Sequence, residues 1–300
     1  MHISGKIITN YPSITCRRNI CLCLTIRHLS DWCRVLIRRL CRPAGVEDLN
    51  PGRNRWISLT AILSLLLSGC SARVATEHSV LLVAAASDLT KVSRPLAGAF
   101  ERSTGIRATF NFGSSGQLEQ QIRQGAPFDV YAPAGRAFCQ SIERDGFAEG
   151  EERLYALGRL VAWSKTLDLK SLNELADAKV RRIAIANPRS APYGVAAQQA
   201  LQSAGLWLQI QSKVVFGESI AHTLQMAETG NAEVALVAIA LVKDVGGSSL
   251  PIDWNLHSPI EQAAVVLKDS KNKQAARAFV EFLLTPEAQE ILKEYGFGHP

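Results

Sequence analysis

The sequence lacks the side-chain sets that most enzymes need. Six histidines are spread over 300 residues, and no two of them have the spacing of metal ligands. Ser87 lacks the flanking glycines of a nucleophile elbow. The GSSG segment that ends at Gly116 is shorter than a phosphate-binding P-loop and has no lysine. The sequence therefore gives no support for catalysis.

Cysteine is scarce in the part of the chain that is expected to fold. Only Cys70 and Cys139 lie beyond the first 45 residues. The earlier cysteines have irregular spacing and intervening arginines, so they give no zinc-ligand pattern. They are Cys16, Cys21, Cys23, Cys33 and Cys41. If Cys70 is modified, as its context below indicates, Cys139 is the remaining thiol and no disulfide is expected.

Excess positive charge is also missing from this part of the chain. The whole sequence has a formal net charge of +6, but residues 1–69 carry ten Lys and Arg against three Asp and Glu. Residues 70–300 therefore have a net charge of −1. The basic character belongs to the N-terminal segment, so it gives no argument for nucleic-acid binding.

Residues 1–52 are predicted to be an unstructured leader. Their composition is unlike that of an exported protein or of a folded domain. One hypothesis is that the start has been assigned upstream of the true one and that translation begins near Val46 or Leu49.

Residues 53–69 have the pattern of a secretory signal peptide. Two arginines precede an apolar run over residues 56–67, which is short for a membrane span. The LSGC sequence that ends at Cys70 resembles a lipoprotein processing box, in which the cysteine is lipidated and becomes the mature N-terminus. The alternative is an uncut membrane anchor followed by a chance cysteine.

The remaining residues alternate between strand and helix patterns, which predicts an α/β fold with largely parallel sheets. Pro95 should kink or shorten the first helix. The strand candidates are 80–85, 107–112, 129–132, 159–164, 182–186, 213–216, 234–237 and 263–267. The helix candidates are 89–103, 115–124, 172–177, 194–204, 219–229, 273–284 and 286–295.

Two strand-to-helix turns with serine occur close together. An apolar strand pattern over residues 80–86 is followed by Ser87 and Asp88. An alternating strand pattern then leads into the GSSG segment, residues 113–116, which contains Ser115 and opens a polar helix.

Both turns could bind a small anion. The first backbone N–H groups of a helix have no partner within it, and the helix dipole adds partial positive charge there. Serine adds a hydroxyl donor, and glycine allows close approach of the backbone. The alternative is that Ser87 and Ser115 are ordinary N-caps, a position that serine favours.

Four segments resemble, in the same order, the molybdate-binding proteins of bacterial ABC importers. They are VAAASDL, FNFGSSGQLEQQIRQGAPFDVY, IAIANPRSAPYG and EFLLTPEAQEILKEYGF. The resemblance covers about residues 80–300. It implies a two-lobed periplasmic-binding-protein fold of type II, each lobe a mostly parallel sheet flanked by helices. Lobe 1 is then expected at residues 80–159 and 261–300, and lobe 2 at residues 160–260, with the ligand in the cleft.

The resemblance also implies four oxyanion-binding residues. Ser87 and Ser115 belong to lobe 1, and the backbone N–H groups of Tyr193 and Ile220 belong to lobe 2. Without the resemblance, Tyr193 could be a packed aromatic residue and Ile220 a core residue of its helix.

Three further positions bear on the ligand. Ser114 and Asp88 are secondary candidates for contact with the anion. Asp88 most simply complements the helix dipole, but a carboxylate that faced the cleft could accept a proton from phosphate. Some members of the family have a tyrosine where this chain has Ala238, so that contact is absent or replaced.

The sequence thus predicts a periplasmic, lipid-anchored monomer that binds molybdate, and also tungstate, for an ABC permease and ATPase. No cofactor and no metal cation are expected. The alternatives are a binding protein for another oxyanion such as sulfate or phosphate, or an enzyme or sensor on the same fold.

Overall fold

The computed structural model describes residues 80–300. The predicted leader, the predicted signal peptide and Cys70 lie outside the described residues. None of the helices in the described part is long and apolar enough to cross a lipid bilayer.

Ten strands form two five-stranded sheets in residues 80–300. The strands of the first sheet are β1 (Leu81–Ala86), β2 (Ala108–Gly113), β3 (Val130–Ala132), β4 (Arg153–Gly158) and β10 (Ile260–Val266). The strands of the second sheet are β5 (Leu160–Ser164), β6 (Ile183–Ala186), β7 (Val214–Gly217), β8 (Val234–Ala238) and β9 (Ser248–Pro251). Each sheet is the centre of one lobe.

The two sheets have the same layout. The strand orders are β2-β1-β3-β10-β4 and β7-β6-β8-β5-β9. In each sheet one strand, β10 or β5, is antiparallel to both neighbours, and the other four share one direction. Each reversed strand is the first strand in the sequence after the chain crosses from the other lobe. The expectation of two mostly parallel sheets flanked by helices is confirmed.

Helices follow most of the strands, although β4 and β5 are joined by a single residue. The helices are α1 (Ser93–Thr104), α2 (Ser115–Arg123), α3 (Arg136–Arg144), α4 (Pro192–Ser203), α5 (Trp207–Ile210), α6 (Ile220–Glu228), α7 (Ile239–Val242), α8 (Lys273–Phe282) and α9 (Pro286–Glu294). Short 3-10 helices include Ser87–Leu89, directly after β1, and Leu172–Ala176.

Apolar residues cover both faces of the sheets. On one face of the first sheet, Val83 packs in a core with Phe100 and Phe279, whose rings meet edge to face at 5.1 Å. On the other face, Ala84 packs with Leu118 and other buried residues. Strands that are buried on both faces read as continuous apolar runs, which is why their positions were predictable. The packed sheets hold the ends of their strands in fixed positions.

Several elements differ from the sequence prediction. The first predicted helix is in fact a 3-10 helix followed by α1, which begins at Ser93, so Pro95 lies in the first turn where its missing N–H costs nothing. The helix α3 and the strands β4 and β9 were not predicted. β9 is a four-residue edge strand that ends in Pro251, and it has no apolar run to reveal it.

Candidate functional site

The two serine turns of the first lobe lie side by side. β1 and β2 are adjacent parallel strands, and Ala86 pairs with Gly113 at their carboxyl ends. Ser87 follows the first of these residues, and Ser115 begins α2 after the second. Neighbouring strands are about 4.8 Å apart. Register alone therefore places the two turns together.

Neither serine caps its own helix. The N-cap of α2 is Ser114, and the 3-10 helix at Ser87 has no side-chain cap. Ser115 Oγ instead accepts a hydrogen bond from the Ala134 N–H at 3.1 Å, and Ser87 Oγ accepts one from the Ala221 N–H at 3.3 Å. The interpretation of these two serines as ordinary N-caps is wrong. A hydroxyl that accepts in this way keeps its own hydrogen for a ligand.

The second lobe repeats the arrangement. β6 and β7 are adjacent parallel strands that end in register at Ala186 and Gly217. The helix α4 begins shortly after β6, with Tyr193 at its second position, and α6 begins after β7 at Ile220. The N–H groups at these positions cannot bond within the helix. In residues 80–300 neither amide has another protein hydrogen-bond partner.

The lobes meet at these four helix starts. The bond from the Ala221 N–H to Ser87 joins the first turn of α6 to the β1 turn. A second bond, from the Gly116 N–H to the carbonyl of Ser190 at 2.9 Å, joins the start of α2 to the loop before α4. The structure therefore brings the turns that carry all four predicted residues to one interface. Ser87, Ser115, Tyr193 and Ile220 are each at most 4% exposed, as in a closed cleft.

The two secondary candidates have other contacts. Ser114 forms a capping box with Gln117, which uses its side chain at the helix start. Asp88 is fully buried, and its Oδ2 accepts a hydrogen bond from Gln262 Nε2 at 2.7 Å. The Asp88 carboxylate therefore contacts the Gln262 side chain on β10.

Burial raises the pKa of Asp88 to about 6. The opposing influences are hydrogen bonds from Tyr193, from Gln262 and from the amides of Asp88 and Leu89, all of which favour the charged form. Desolvation outweighs these bonds. Asp88 is consequently a buried acid whose pKa lies well above its ordinary value of 3.8.

The sequence relates the chain to bacterial binding proteins. Residues 81–298 match the family described as bacterial extracellular solute-binding protein. The chain is 35% identical to the molybdate-binding protein ModA of Rhodobacter capsulatus, over 80% of this chain and 94% of that protein. It is 37% identical to ModA of Azotobacter vinelandii, over 80% of this chain and 96% of that protein. The chain belongs to the ModA family of extracellular solute-binding proteins.

The fold supports the same membership. The solved periplasmic molybdate-binding protein of Azotobacter vinelandii superposes with a TM-score of 0.70 at 33% identity, covering 73% of this chain and 99% of that one. Members of the family bind solutes and do not catalyse reactions on them. The chain is accordingly a solute-binding protein and not an enzyme.

Sequence reasoning missed the residues beneath the site. Gln262 and Tyr155 are buried beside Asp88, on β10 and β4 respectively. Gln262 could have been noticed as an uncharged polar residue within a mainly apolar strand. Nothing in the sequence pairs it with Asp88, because 174 positions separate them. Ala238 is buried at the end of β8.

An apolar groove also lies between the lobes. It has a volume of about 260 Å³ and is lined by residues that include Gly135, Pro192, Gln199 and Pro259. None of the four predicted oxyanion ligands lines it. The groove therefore lies beside the start of α4, through Pro192, but does not include the predicted donors themselves.

Proposed function

We propose that the chain captures molybdate, and also tungstate, outside the cytoplasm and delivers it to an ABC permease and its ATPase. The observation that carries the proposal is the matched pair of strand ends in each lobe. It gathers four helix starts, two bearing serine hydroxyls and two bearing unpaired amides, at one interface. Two relatives that are more than 30% identical are named as molybdate-binding proteins.

Neutral donors suit a doubly charged anion that must be released again. Helix N-termini and hydroxyl groups stabilise negative charge without a cationic side chain. We assign the hydroxyls of Ser87 and Ser115 to one side of the anion and the amides of Tyr193 and Ile220 to the other. Closure of the lobes then completes the set of donors.

The contacts of Asp88 favour molybdate and tungstate over phosphate. Near neutral pH phosphate keeps a proton, which needs an acceptor in the site, whereas molybdate, tungstate and sulfate have none to donate. The Asp88 side chain interacts with Gln262 and Tyr193. We assign this side chain to its contact with Gln262 and not to the anion.

Thermal melting of residues 71–300 with four oxyanions tests the proposal. A ligand at one hundred times its Kd stabilises the folded state by about 2.7 kcal/mol. For a domain of this size we expect molybdate and tungstate to raise the Tm by roughly 5–10 °C. Sulfate and phosphate at the same concentration serve as the controls and should leave the Tm unchanged. A rise with phosphate or sulfate and none with molybdate would contradict the proposal and support the other oxyanion.

We further propose that Cys70 carries a lipid that anchors the mature, monomeric protein to the membrane from the periplasmic side. The support is the LSGC sequence after an apolar run of signal-peptide length. Substitution Cys70→Ala should move the protein from the membrane fraction to the soluble fraction, whereas Cys139→Ala should not. Unchanged membrane association of the Cys70 variant, by fractionation, would refute the anchor.

A further inference from the structure

A cluster of buried polar side chains lies where the chain crosses between the lobes. Asp88, Gln262, Tyr155 and Tyr193 are each at most 1% exposed. Three oxygens in this cluster have no hydrogen-bond partner within residues 80–300, namely Asp88 Oδ1, Gln262 Oε1 and the Tyr155 hydroxyl. Unpaired buried acceptors are costly, so such a group needs a physical explanation.

Tyr193 is the member of this cluster that comes from the second lobe. Its hydroxyl fills space left by Gly158 at the end of β4, where a Cβ would lie only 2.3 Å from the hydroxyl oxygen. Gly158 pairs with Ile260 at the start of β10, so both crossings between the lobes pass this point. Gln262 Nε2 lies 3.5 Å from the Tyr193 hydroxyl.

The Tyr193 hydroxyl and the Asp88 carboxylate share one partner, because Gln262 Nε2 donates to both. Gln262 approaches the hydroxyl oxygen through its N–H, which leaves the hydroxyl hydrogen free. Interaction with the Tyr193 hydroxyl favours the ionised form of Asp88 and holds its pKa below the value that burial alone would give. One residue thus has its backbone N–H at the start of α4 and its side chain in the opposite lobe.

We propose that Asp88 and Gln262 are positioning residues, which bind the Tyr193 hydroxyl when the lobes close and so hold the Tyr193 amide against the anion. This inference rests on the proposed function for its ligand. It assigns to Asp88 a role beneath the site instead of contact with the oxyanion.

The cluster should also respond to pH. The ionisable side chains that face Asp88 are Tyr155 from β4 and Tyr193 from α4, and burial raises the pKa of both. Lys91, three residues after Asp88, donates to the carbonyl of Lys243, and no cation is among the influences on the pKa of Asp88. No described cation therefore compensates the charge of Asp88.

Protonation of Asp88 would complete the pairing. The carboxyl and amide groups already share one bond, from Gln262 Nε2 to Asp88 Oδ2. A proton on the unpaired Oδ1 gives that oxygen a donor, and the unpaired Oε1 of Gln262 is the matching acceptor. Asparagine at position 88 offers the same donor and acceptor without a charge.

The sign of the pH effect follows from burial. The pKa of Asp88 in the closed protein is about 6 against an ordinary 3.8, so the closed state binds the proton more tightly than a solvated carboxyl does. Closure is then favoured at low pH, and this advantage is lost as pH rises toward and through 6. We expect molybdate to bind about fourfold more tightly at pH 5.5 than at pH 8.

Two matched tyrosine variants test the positioning role. Tyr193→Phe removes the interlobe hydroxyl and keeps the backbone amide. We expect its Kd for molybdate at pH 8, by isothermal titration calorimetry, to rise about tenfold or more. Tyr155→Phe removes a buried hydroxyl that stays within one lobe and has no partner, so it should leave the Kd within about twofold. Equal effects of the two variants, or parental affinity of Tyr193→Phe, would overturn the proposal.

Asp88→Asn tests the proton. Its affinity should no longer change between pH 5.5 and pH 8, while the parent and Tyr155→Phe retain the slope. The penalty of Tyr193→Phe should be larger at pH 8 than at pH 5.5, because the ionised carboxylate depends most on the hydroxyl. A merely structural role would lower affinity equally at both pH values, and that result would contradict the proposal.

Melting curves of the ligand-free protein test the role of Asp88 independently of the proposed function. If the parent fails to bind molybdate, the proposed function fails, but melting curves still report on the cluster. Asp88→Asn should then raise the Tm at pH 8 by several degrees more than at pH 5, since the buried charge is present only at the higher pH. A Tm difference that does not change with pH would overturn the role of the proton independently of any ligand.

Discussion

Replacing Ser87 and Ser115 together by alanine should abolish tight oxyanion binding. Each hydroxyl is buried at the lobe interface and already accepts a backbone N–H, which leaves its hydrogen for the ligand. A hydrogen bond to a charged group is worth roughly 1.5–3 kcal/mol. Each single variant should therefore bind molybdate about tenfold more weakly, and the pair about a hundredfold or more. Isothermal titration calorimetry measures both.

Ser171→Ala is the matched control for the serine variants. Ser171 also precedes a short helix, but it forms a capping box with Glu174 in the second lobe and contacts none of the four predicted ligands. Its loss should reduce the free energy of unfolding by about 1 kcal/mol and leave the Kd unchanged. If the double variant binds molybdate as the parent does, the assignment of these two serines is refuted.

Gly194→Ala should damage both stability and binding. An ideal Cβ at Gly194 would lie 2.1 Å from the carbonyl oxygen of Ala186 and 2.9 Å from the Pro188 nitrogen. These are backbone atoms at the end of β6 and in the loop that follows it, so a side-chain rotation cannot relieve the contact. We expect a loss on the order of 3 kcal/mol in the free energy of unfolding. That corresponds to a fall of roughly 10 °C in Tm.

The same substitution displaces a proposed ligand. Gly194 follows Tyr193 in the first turn of α4, so a shift of this turn moves the Tyr193 amide away from the anion. Affinity for molybdate should fall together with the Tm. The control is Gly98→Ala, in α1, where the added Cβ would make an ordinary contact of 3.5 Å with Arg102. A helical Gly-to-Ala change of this kind should be neutral or stabilising by up to about 1 kcal/mol.

The melting temperature and the molybdate affinity of Gly194→Ala give separate information. If Gly194→Ala melts and binds as the parent does, the turn between β6 and α4 is not as tight as the structure shows. If it melts lower but binds normally, the Tyr193 amide is not a ligand. The two readouts thus distinguish a role in packing from a role in recognition.

Much of the fold could be predicted because buried parallel strands have a strong sequence signal. The apolar runs at β1, β6 and β8 are buried at nearly every position, and each was predicted to within one residue. Some elements without such a run were missed, among them β9, which lies at a sheet edge with exposed positions. Strands that are buried on both faces could be predicted from their apolar runs. Partly exposed strands such as β9 have a weaker sequence pattern.

The candidate site could be predicted only in part. Serine and glycine after a strand indicate a helix start, and the resemblance added Tyr193 and Ile220. The sequence could not show that Ser114 rather than Ser115 caps α2, because the two serines are adjacent and only the backbone conformation separates them. It also gave Asp88 two interpretations, neither of which included the contact with Gln262.

The sequence by itself determined the α/β pattern and the family, since these depend on local periodicity and on short motifs, and it predicted the type of donor. The tertiary structure decided which donors meet. Ser87 reaches the first turn of α6 across 134 positions, and Asp88 reaches Gln262 across 174. Such contacts arise only when strand register and lobe closure bring distant residues together, so no local sequence pattern predicts them.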